Sequence, residues 1–244
     1  MIMKDLLDNE LVAQLERETS GQNIQDTLRL LSQRFSGAIA FSTSFGLEDQ
    51  VITDMIFTGD LPVLVFTLDT GRHFEETYKV MNRTLSKYGK KIKICFPDAG
   101  EVERMVSQKG PYSFYESVEN RKECCHIRKV EPLKKVLEQV SCWITGLRAS
   151  QSGTRQDLAR FSFDEANQVI KYNPLADWSV DQVSEYLKTN HVPYNSLHDK
   201  GYPSIGCAPC TRAVAEGEDI RSGRWWWENN SAKECGLHHN DKNQ

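Results

Sequence analysis

The 244-residue sequence has no apolar run that approaches the roughly 20 residues of a membrane-spanning helix, so a helical membrane protein is not expected. Charge of one sign is also missing. Thirty Lys and Arg stand against 34 Asp and Glu, for a net −4, which does not favour general nucleic-acid binding. No basic stripe or helix-turn-helix pattern argues otherwise. Gly-Lys-Ser/Thr and GxGxxG are both absent, which excludes a Walker loop and a dinucleotide fingerprint. Internal repeats are absent as well. The opening "MIMKDLLDNELVAQLERETS" is too acidic for a secretory signal or a transit peptide, so the expected location is the cytoplasm.

What the chain does have is seven cysteines. In a cytoplasmic setting they point to metal binding or catalysis rather than to a disulfide framework. Their odd number leaves at least one out of any pairing.

The remaining pattern is of strands alternating with helices. Two helices are expected from Met1 to Phe35, where Leu11, Leu15, Ile24, Leu28 and Leu31 recur at helical spacing. Apolar runs of strand length follow in "AIAF", "LPVLVFTLD", "KIKICFPD" and "CWITGL". Helical segments lie between them, including Phe74 to Tyr88 and Val130 to Val140. A later amphipathic helix is capped by Asp177 or Ser179. This alternation predicts an α/β fold with a central, mainly parallel sheet covered by helices on both faces. Residues 1–215 are expected to form the domain. Residues 216–244, which carry no clear pattern, are expected to form a mobile tail.

In open parallel sheets ligands bind beyond the C-terminal strand ends. "STSFGLED", "TGRH" and "RASQSGTRQD" fall there. The first, between a strand and a helix, has the small hydroxyl residues and the glycine that let backbone N–H groups approach an anion. The alternative is an ordinary helix N-cap at Ser44.

The stretch "ECCHIRK" sets Cys124 beside Cys125, and "GCAPC" supplies Cys207 and Cys210. Adjacent helical residues diverge by about 100°, an awkward pair for one tetrahedral zinc ion. In a cubane 4Fe–4S cluster each thiolate takes a different iron, so Cys124, Cys125, Cys207 and Cys210 suit such a cluster. Zinc, or four incidental buried thiols, are the alternatives. Cys95 and Cys142, inside apolar runs, are expected in the core.

Cys235, in "KECGLHH", has no partner left. Lys233 and His238 nearby favour its thiolate. The alternative is an idle tail thiol. Arg221, Arg224, Lys129, Arg148 and Arg155 are cations near the expected loops, and arginine forks suit sulfate or phosphate oxygens. "WWW" fits a partner-binding patch or a packed segment equally well.

Together "STSFGLED", "LDTGR", "CC" with "CAPC", "GLRASQSGTR" and the terminal "ECGLH" resemble the assimilatory adenylyl-sulfate and phosphoadenylyl-sulfate reductases over most of the chain. The double cysteine with C-x-x-C is similar to the branch that carries a 4Fe–4S cluster and mostly uses adenylyl sulfate, though some bacterial members also accept the 3′-phosphorylated form.

The resemblance implies an adenine-nucleotide-binding domain. Ser42, Ser44, Phe45, Gly46, Glu48 and Asp49 would line the phosphate pocket, and Leu68, Thr70, Gly71 and Arg72 the adenosine pocket. Lys129, Arg148, Arg155, Arg221, Arg224 and His238 would face the anionic substrate. Cys235 would be the nucleophile, thioredoxin the electron donor, and one 4Fe–4S cluster the cofactor. Two other readings compete. An ATP-consuming transferase of the sulfurylase or tRNA-thiolating kind shares the fold but usually carries a Ser-Gly-Gly-type loop. A non-enzymatic iron–sulfur sensor would leave Cys235 idle.

Overall fold

In the computed structural model the described residues are 2–151 and 158–228, with the side chains of residues 2–8 left aside. A six-stranded sheet has the order β3-β2-β1-β4-β6-β5. Its strands are β1 (Ile39–Ser42), β2 (Leu64–Leu68), β3 (Lys93–Cys95), β4 (Cys142–Ile144), β5 (Phe161–Asp164) and β6 (Val169–Tyr172). Strand β1 runs parallel to β2 and to β4, with Phe41 opposite Val65 and Ile144. Strand β4 runs parallel to β6, and β5 closes the far edge antiparallel to β6. The helices are α1 (Ile2–Glu18), α2 (Ile24–Arg34), α3 (Leu47–Thr58), α4 (Glu75–Tyr88), α5 (Ala99–Lys109), α6 (Val118–Cys125), α7 (Glu131–Leu137) and α8 (Val180–Thr189). No helix among the described residues is long and apolar enough to cross a membrane.

The chain divides into two compact units. The first comprises Met1–Thr67, Glu76–Lys93 and Leu137–Asn195. Its core is built on the apolar strands: Ile39, Phe41, Val65, Cys142, Ile144 and Ile170 pack with Leu28, Leu31, Ile52, Ile56, Val80 and Val183 from the helices. Burying each such side chain is worth about 1.5–3 kcal/mol. Ser179 caps α8 in a reciprocal capping box with Gln182, deciding between the two expected caps.

The second unit comprises Leu68–Glu75, Ile94–Val136 and the chain from Ser196 onward. Its core is unusual in composition: Met105, Phe114 and Trp225 pack with Cys124, Cys125, Cys207 and Cys210.

Two expectations are corrected here, and the Ser44 alternative is settled. Cys95 is half-buried rather than a core residue, because β3 leaves Lys93 and Ile94 exposed as well; Cys142 is fully buried. Helix α3 is capped at Gly46, not at Ser44. The segment from Glu216 was expected to be tail throughout, yet Trp225 is buried and Glu228 lies in a buried ion pair. The large aromatic area of the Trp run brings it back onto the second unit's own core.

Candidate active site

In the first unit, the chain leaves β1 through a tightly bonded loop. The Thr43 N–H donates to the Phe66 carbonyl at 2.8 Å. Phe45 takes a positive φ of 60° while almost fully buried. Such a conformation is sparsely populated for a bulky residue and persists where the surroundings over-determine it, commonly at functional sites. Gly46 then starts α3 without a side-chain cap, so the first N–H groups of the helix keep their anion-binding character.

Asp49 is the keystone of this loop. Its Oδ2 accepts from the Ser44 N–H and from the Ser44 hydroxyl, each at 2.6 Å. Burial pushes the Asp49 carboxyl up to about 6 against those two hydrogen bonds. A Cβ on Gly146 would lie 1.9 Å from Asp49 Oδ1, so the loop after β4 must carry a glycine there. Two residues on, Arg148 is buried and donates to Glu48 at 2.9 Å and to the Ser150 hydroxyl. Ser42 accepts a hydrogen bond from the Trp143 indole at 2.9 Å. The structure therefore brings Ser42, Ser44, Phe45, Gly46, Glu48, Asp49 and Arg148 to adjacent parallel strand ends. Arg155 lies outside the described residues.

In the second unit the "LDTGR" segment is a brace. The Asp69 side chain accepts from the Gly71 N–H at 2.8 Å, a turn that Gly71 completes with a φ of 69°. Thr70 is fully buried. Its carbonyl accepts from Arg128 at 2.6 Å, and its hydroxyl contacts Cys207 Sγ at 3.3 Å. The Arg72 carbonyl accepts from the Ala208 N–H at 2.8 Å, and its guanidinium lies over the Phe114 ring. Leu68 is half-buried at the end of β2. An open, mostly apolar groove of about 470 Å³ borders Thr70 and Gly71.

All four expected ligand cysteines meet. Cys124 and Cys125 end α6, where the helix widens into a π-turn over His126–Val130, a device common at functional sites. Cys207 precedes and Cys210 ends a short 3₁₀ turn that contains Pro209. The four thiols line one cavity with Arg72, Arg121, Arg128 and Lys129. Burial raises the Cys124 thiol above its ordinary value and pushes Cys210 up to about 12. Burial also opposes a Cys207 thiolate, but Lys129, the Thr70 hydroxyl, Arg224 and Arg128 outweigh it and hold that thiol below its ordinary value.

Among the described residues, no three His, Cys, Asp or Glu side chains converge on a single-ion centre. The donor set nonetheless fits a metal–sulfur group. Four buried thiols share a wall with Arg72, Arg128, Lys129 and Arg121; the first three offset thiolate charge, while Arg121 is paired with Glu228. Buried nitrogens of the same unit, Nε of Arg128 and the Nε1 atoms of Trp225 and Trp227, find no protein hydrogen-bond partner; such donors suit sulfur acceptors.

Arg224 is buried beside this cavity's C-x-x-C turn. It reaches Ser204 Oγ at 3.3 Å, and its backbone bridges to Thr211. Arg221 is half-buried, its N–H bonded to Asp219. Cys235 and His238 lie outside the described residues.

Residues 38–213 match the phosphoadenosine phosphosulfate reductase domain family. The chain is 50% identical over 213 residues to the adenosine 5′-phosphosulfate reductase of Allochromatium vinosum, covering 86% of this chain and 83% of that protein. The chain belongs to the adenylyl-sulfate and phosphoadenylyl-sulfate reductase family. This oxidoreductase is also 47% identical to the adenosine 5′-phosphosulfate reductase of Burkholderia cepacia, over 95% of this chain and 90% of that one. Its fold superposes on the phosphoadenylyl-sulfate reductase of Candida auris, solved as a phosphate complex, with a TM-score of 0.72. The two share 32% identity, and the match covers 84% of this reductase and 97% of the other.

Several residues that shape the reductase's site were not read from its sequence. Gly146 and Gly206 give room to Asp49 and Arg224, and a lone glycine in a loop carries no such signal. Arg121 and Glu228 form a buried ion pair across 107 residues of sequence, which no local pattern shows. Arg128 stood in plain view in "ECCHIRK" beside Lys129, and its burial is the one cue that separates it from a solvated charge.

Proposed function

We propose that this reductase reduces adenylyl sulfate to sulfite and AMP in cytoplasmic sulfate assimilation, with thioredoxin as the electron donor. The observation that carries the reading is the convergence of Cys124, Cys125, Cys207 and Cys210 on one cavity walled by Arg72, Arg121, Arg128 and Lys129, in a chain whose relatives are named adenosine 5′-phosphosulfate reductases. Those four thiols are the residues that would hold a 4Fe–4S cluster. Each of the two adjacent cysteines would then bind a separate iron. When bound, the cluster supplies order and electrostatic tuning to the basic site rather than the two electrons, which thiols provide.

The chemistry assigned to the chain's residues begins with the nucleotide. The phosphate loop from Ser42 to Asp49 and Arg148 take its phosphate, and Leu68 to Arg72 its adenosine. Lys129, Arg155, Arg221, Arg224 and His238 take the sulfate. The Cys235 thiolate attacks the sulfate sulfur. The bond from that sulfur to the bridging oxygen breaks, and AMP leaves with the electron pair. The product on the enzyme is S-sulfocysteine. A thioredoxin thiolate then attacks Cys235 Sγ. The sulfur–sulfur bond to the sulfonate breaks, sulfite departs with the pair, and thioredoxin's second thiol resolves the mixed disulfide. Sulfur gains two electrons, and one dithiol becomes a disulfide.

The cations answer a physical need. A thiolate approaching an anionic sulfate meets a repulsion of about 4 kcal/mol at ~4 Å in an effective dielectric near 20. Fixed guanidinium and ammonium groups offset it without reorganising during the reaction.

The test is a paired anaerobic assay of sulfite release with thioredoxin, on adenylyl sulfate and on its 3′-phosphorylated form. Release from the first supports the reading. Release from the second alone would assign the chain to phosphoadenylyl-sulfate reduction, and release from neither would leave a non-enzymatic iron–sulfur protein.

A further inference from the structure

The second unit contains a buried ion pair, Arg121–Glu228, to which the scheme above assigns no step. Arg121 Nε donates to Glu228 Oε1 at 2.8 Å and Arg121 Nη2 to Oε2 at 3.0 Å. The side chains are 3% and 5% exposed. This is the two-pronged guanidinium–carboxylate geometry, the strongest and most orienting form of ion pair. Burying it is costly. An apolar pair of the same volume is often neutral or more stable, so stability alone does not account for these two residues.

Their surroundings indicate what the pair orients. Arg121 sits on α6, one turn before the cysteine pair, and also hydrogen-bonds Cys125. Its guanidinium lies over the Trp225 ring, 4.6 Å from the centroid. The Arg224 guanidinium lies over the same ring at 4.8 Å. Trp225 itself is 1% exposed and takes a φ of 44°, a conformation that a bulky residue holds only when its neighbours impose it. The Trp225 N–H bonds the Cys210 carbonyl at 3.2 Å, and the Glu228 N–H bonds the Trp225 carbonyl at 2.9 Å. Arg224 therefore has little freedom. It is pinned toward Ser204 and the Ile205 carbonyl, and a Cβ on Gly206 would lie 2.3 Å from its Nη2.

We propose that Arg121 and Glu228 are positioning residues: their pair locks Trp225 in its left-handed turn and, through the Trp225 ring, holds the Arg224 guanidinium in register for the anionic substrate. The same pair fixes residue 228, after which the segment 229–244 with Cys235 begins. This inference rests on the reductase reading for Arg224's role and adds to it two residues that touch no substrate.

The experiment is a double-mutant cycle between the pair and Arg224, in anaerobically purified full-length protein. One arm replaces the pair with apolar residues, Arg121→Met with Glu228→Leu. The second is Arg224→Ala, and the third combines all three changes. Two quantities are read: the single-turnover rate of sulfonate appearance on Cys235, and, in a Cys235→Ser background that cannot react, adenylyl-sulfate affinity by calorimetry. Iron content and the visible absorbance of each protein report the cysteine site separately. The pair variant is expected to keep its iron and to lose about a hundredfold in sulfonate transfer, the effect of misplacing a catalytic group by about 1 Å. The triple variant is expected to be no slower than Arg224→Ala alone, since the pair acts through Arg224. A pair variant with wild-type transfer, or a triple variant whose losses multiply, overturns the proposal.

If the apolar pair does not retain iron, Glu228→Gln, which keeps the fork's shape, takes its place in the cycle with the same expected coupling. Should the wild-type protein form no sulfonate at all, the reductase reading fails, and the adenylyl-sulfate binding cycle still decides the pair: coupled losses support it and independent losses refute it.

Discussion

Asp49 offers a quantitative test of how the phosphate loop is built. The carboxylate is buried, accepts two hydrogen bonds from Ser44, and is nevertheless pushed up to about 6 from its ordinary 3.8. Desolvation thus outweighs the hydrogen bonds. The folded protein binds this proton more tightly than the unfolded chain does. The group's stabilising contribution is therefore complete below pH 3.8 and is lost as the pH rises through 6. Over the whole range the loss amounts to about 3 kcal/mol, and between pH 5 and pH 8 alone to about 1–2 kcal/mol. Asp49→Asn keeps an acceptor for Ser44 and cannot ionise. Denaturant unfolding of both proteins at pH 5 and pH 8 isolates the effect, since every other titration cancels in the difference. The variant is expected to gain about 1–2 kcal/mol on the wild type between the two pH values, with unchanged denaturant slopes. A gap that stays constant, or moves the other way, would show that Asp49 is not a desolvated carboxylate and that the loop is held by something else.

Other outcomes follow from neighbouring geometry. Gly206→Ala puts a Cβ 2.3 Å from Arg224 Nη2; kcat/KM for the nucleotide sulfate is expected to fall by about ten- to a hundredfold, while iron content stays at the wild-type level. In the first unit, Asp54 accepts from Tyr88 at 2.5 Å and from Tyr186 at 2.8 Å. Asp54→Ala strands both hydroxyls and should cost about 2–4 kcal/mol in denaturant unfolding, again with normal iron. Metal analysis of anaerobic protein should find about four iron and four sulfide per chain, and Cys207→Ser should remove them; one zinc per chain would replace the cluster with a single-ion site.

The parts of the fold legible in the sequence are those in which burial is aliphatic. Strands β1, β2 and β4 lie in continuous apolar runs, and α4 and α8 carry a clear amphipathic spacing. The β5–β6 hairpin was not expected. Its strands are four residues each, and β6 buries Lys171, whose ammonium lies over the Trp143 ring, so a lysine interrupts an already short apolar run. Helix α6 was missed for a related reason. Its buried residues are Arg121, Cys124 and Cys125, which carry no hydrophobic periodicity. The four cysteines themselves were legible, because adjacent thiols with a distant C-x-x-C have few physical uses. The Trp run was not, since nothing local shows that Trp225 lies under two guanidinium groups. Sequence patterns report aliphatic packing well and long-range charge pairing poorly, and this site is built largely from the latter.

In the proposed mechanism the sulfur of Cys235 accepts a sulfonate from a nucleotide. Intact-protein and peptide mass spectrometry of the anaerobic protein, mixed with adenylyl sulfate and no reductant, tests it most directly. One added SO₃ is expected on the peptide that contains Cys235, absent in Cys235→Ser and removed by thioredoxin with release of sulfite. An unmodified Cys235 in a protein that binds the nucleotide would contradict it.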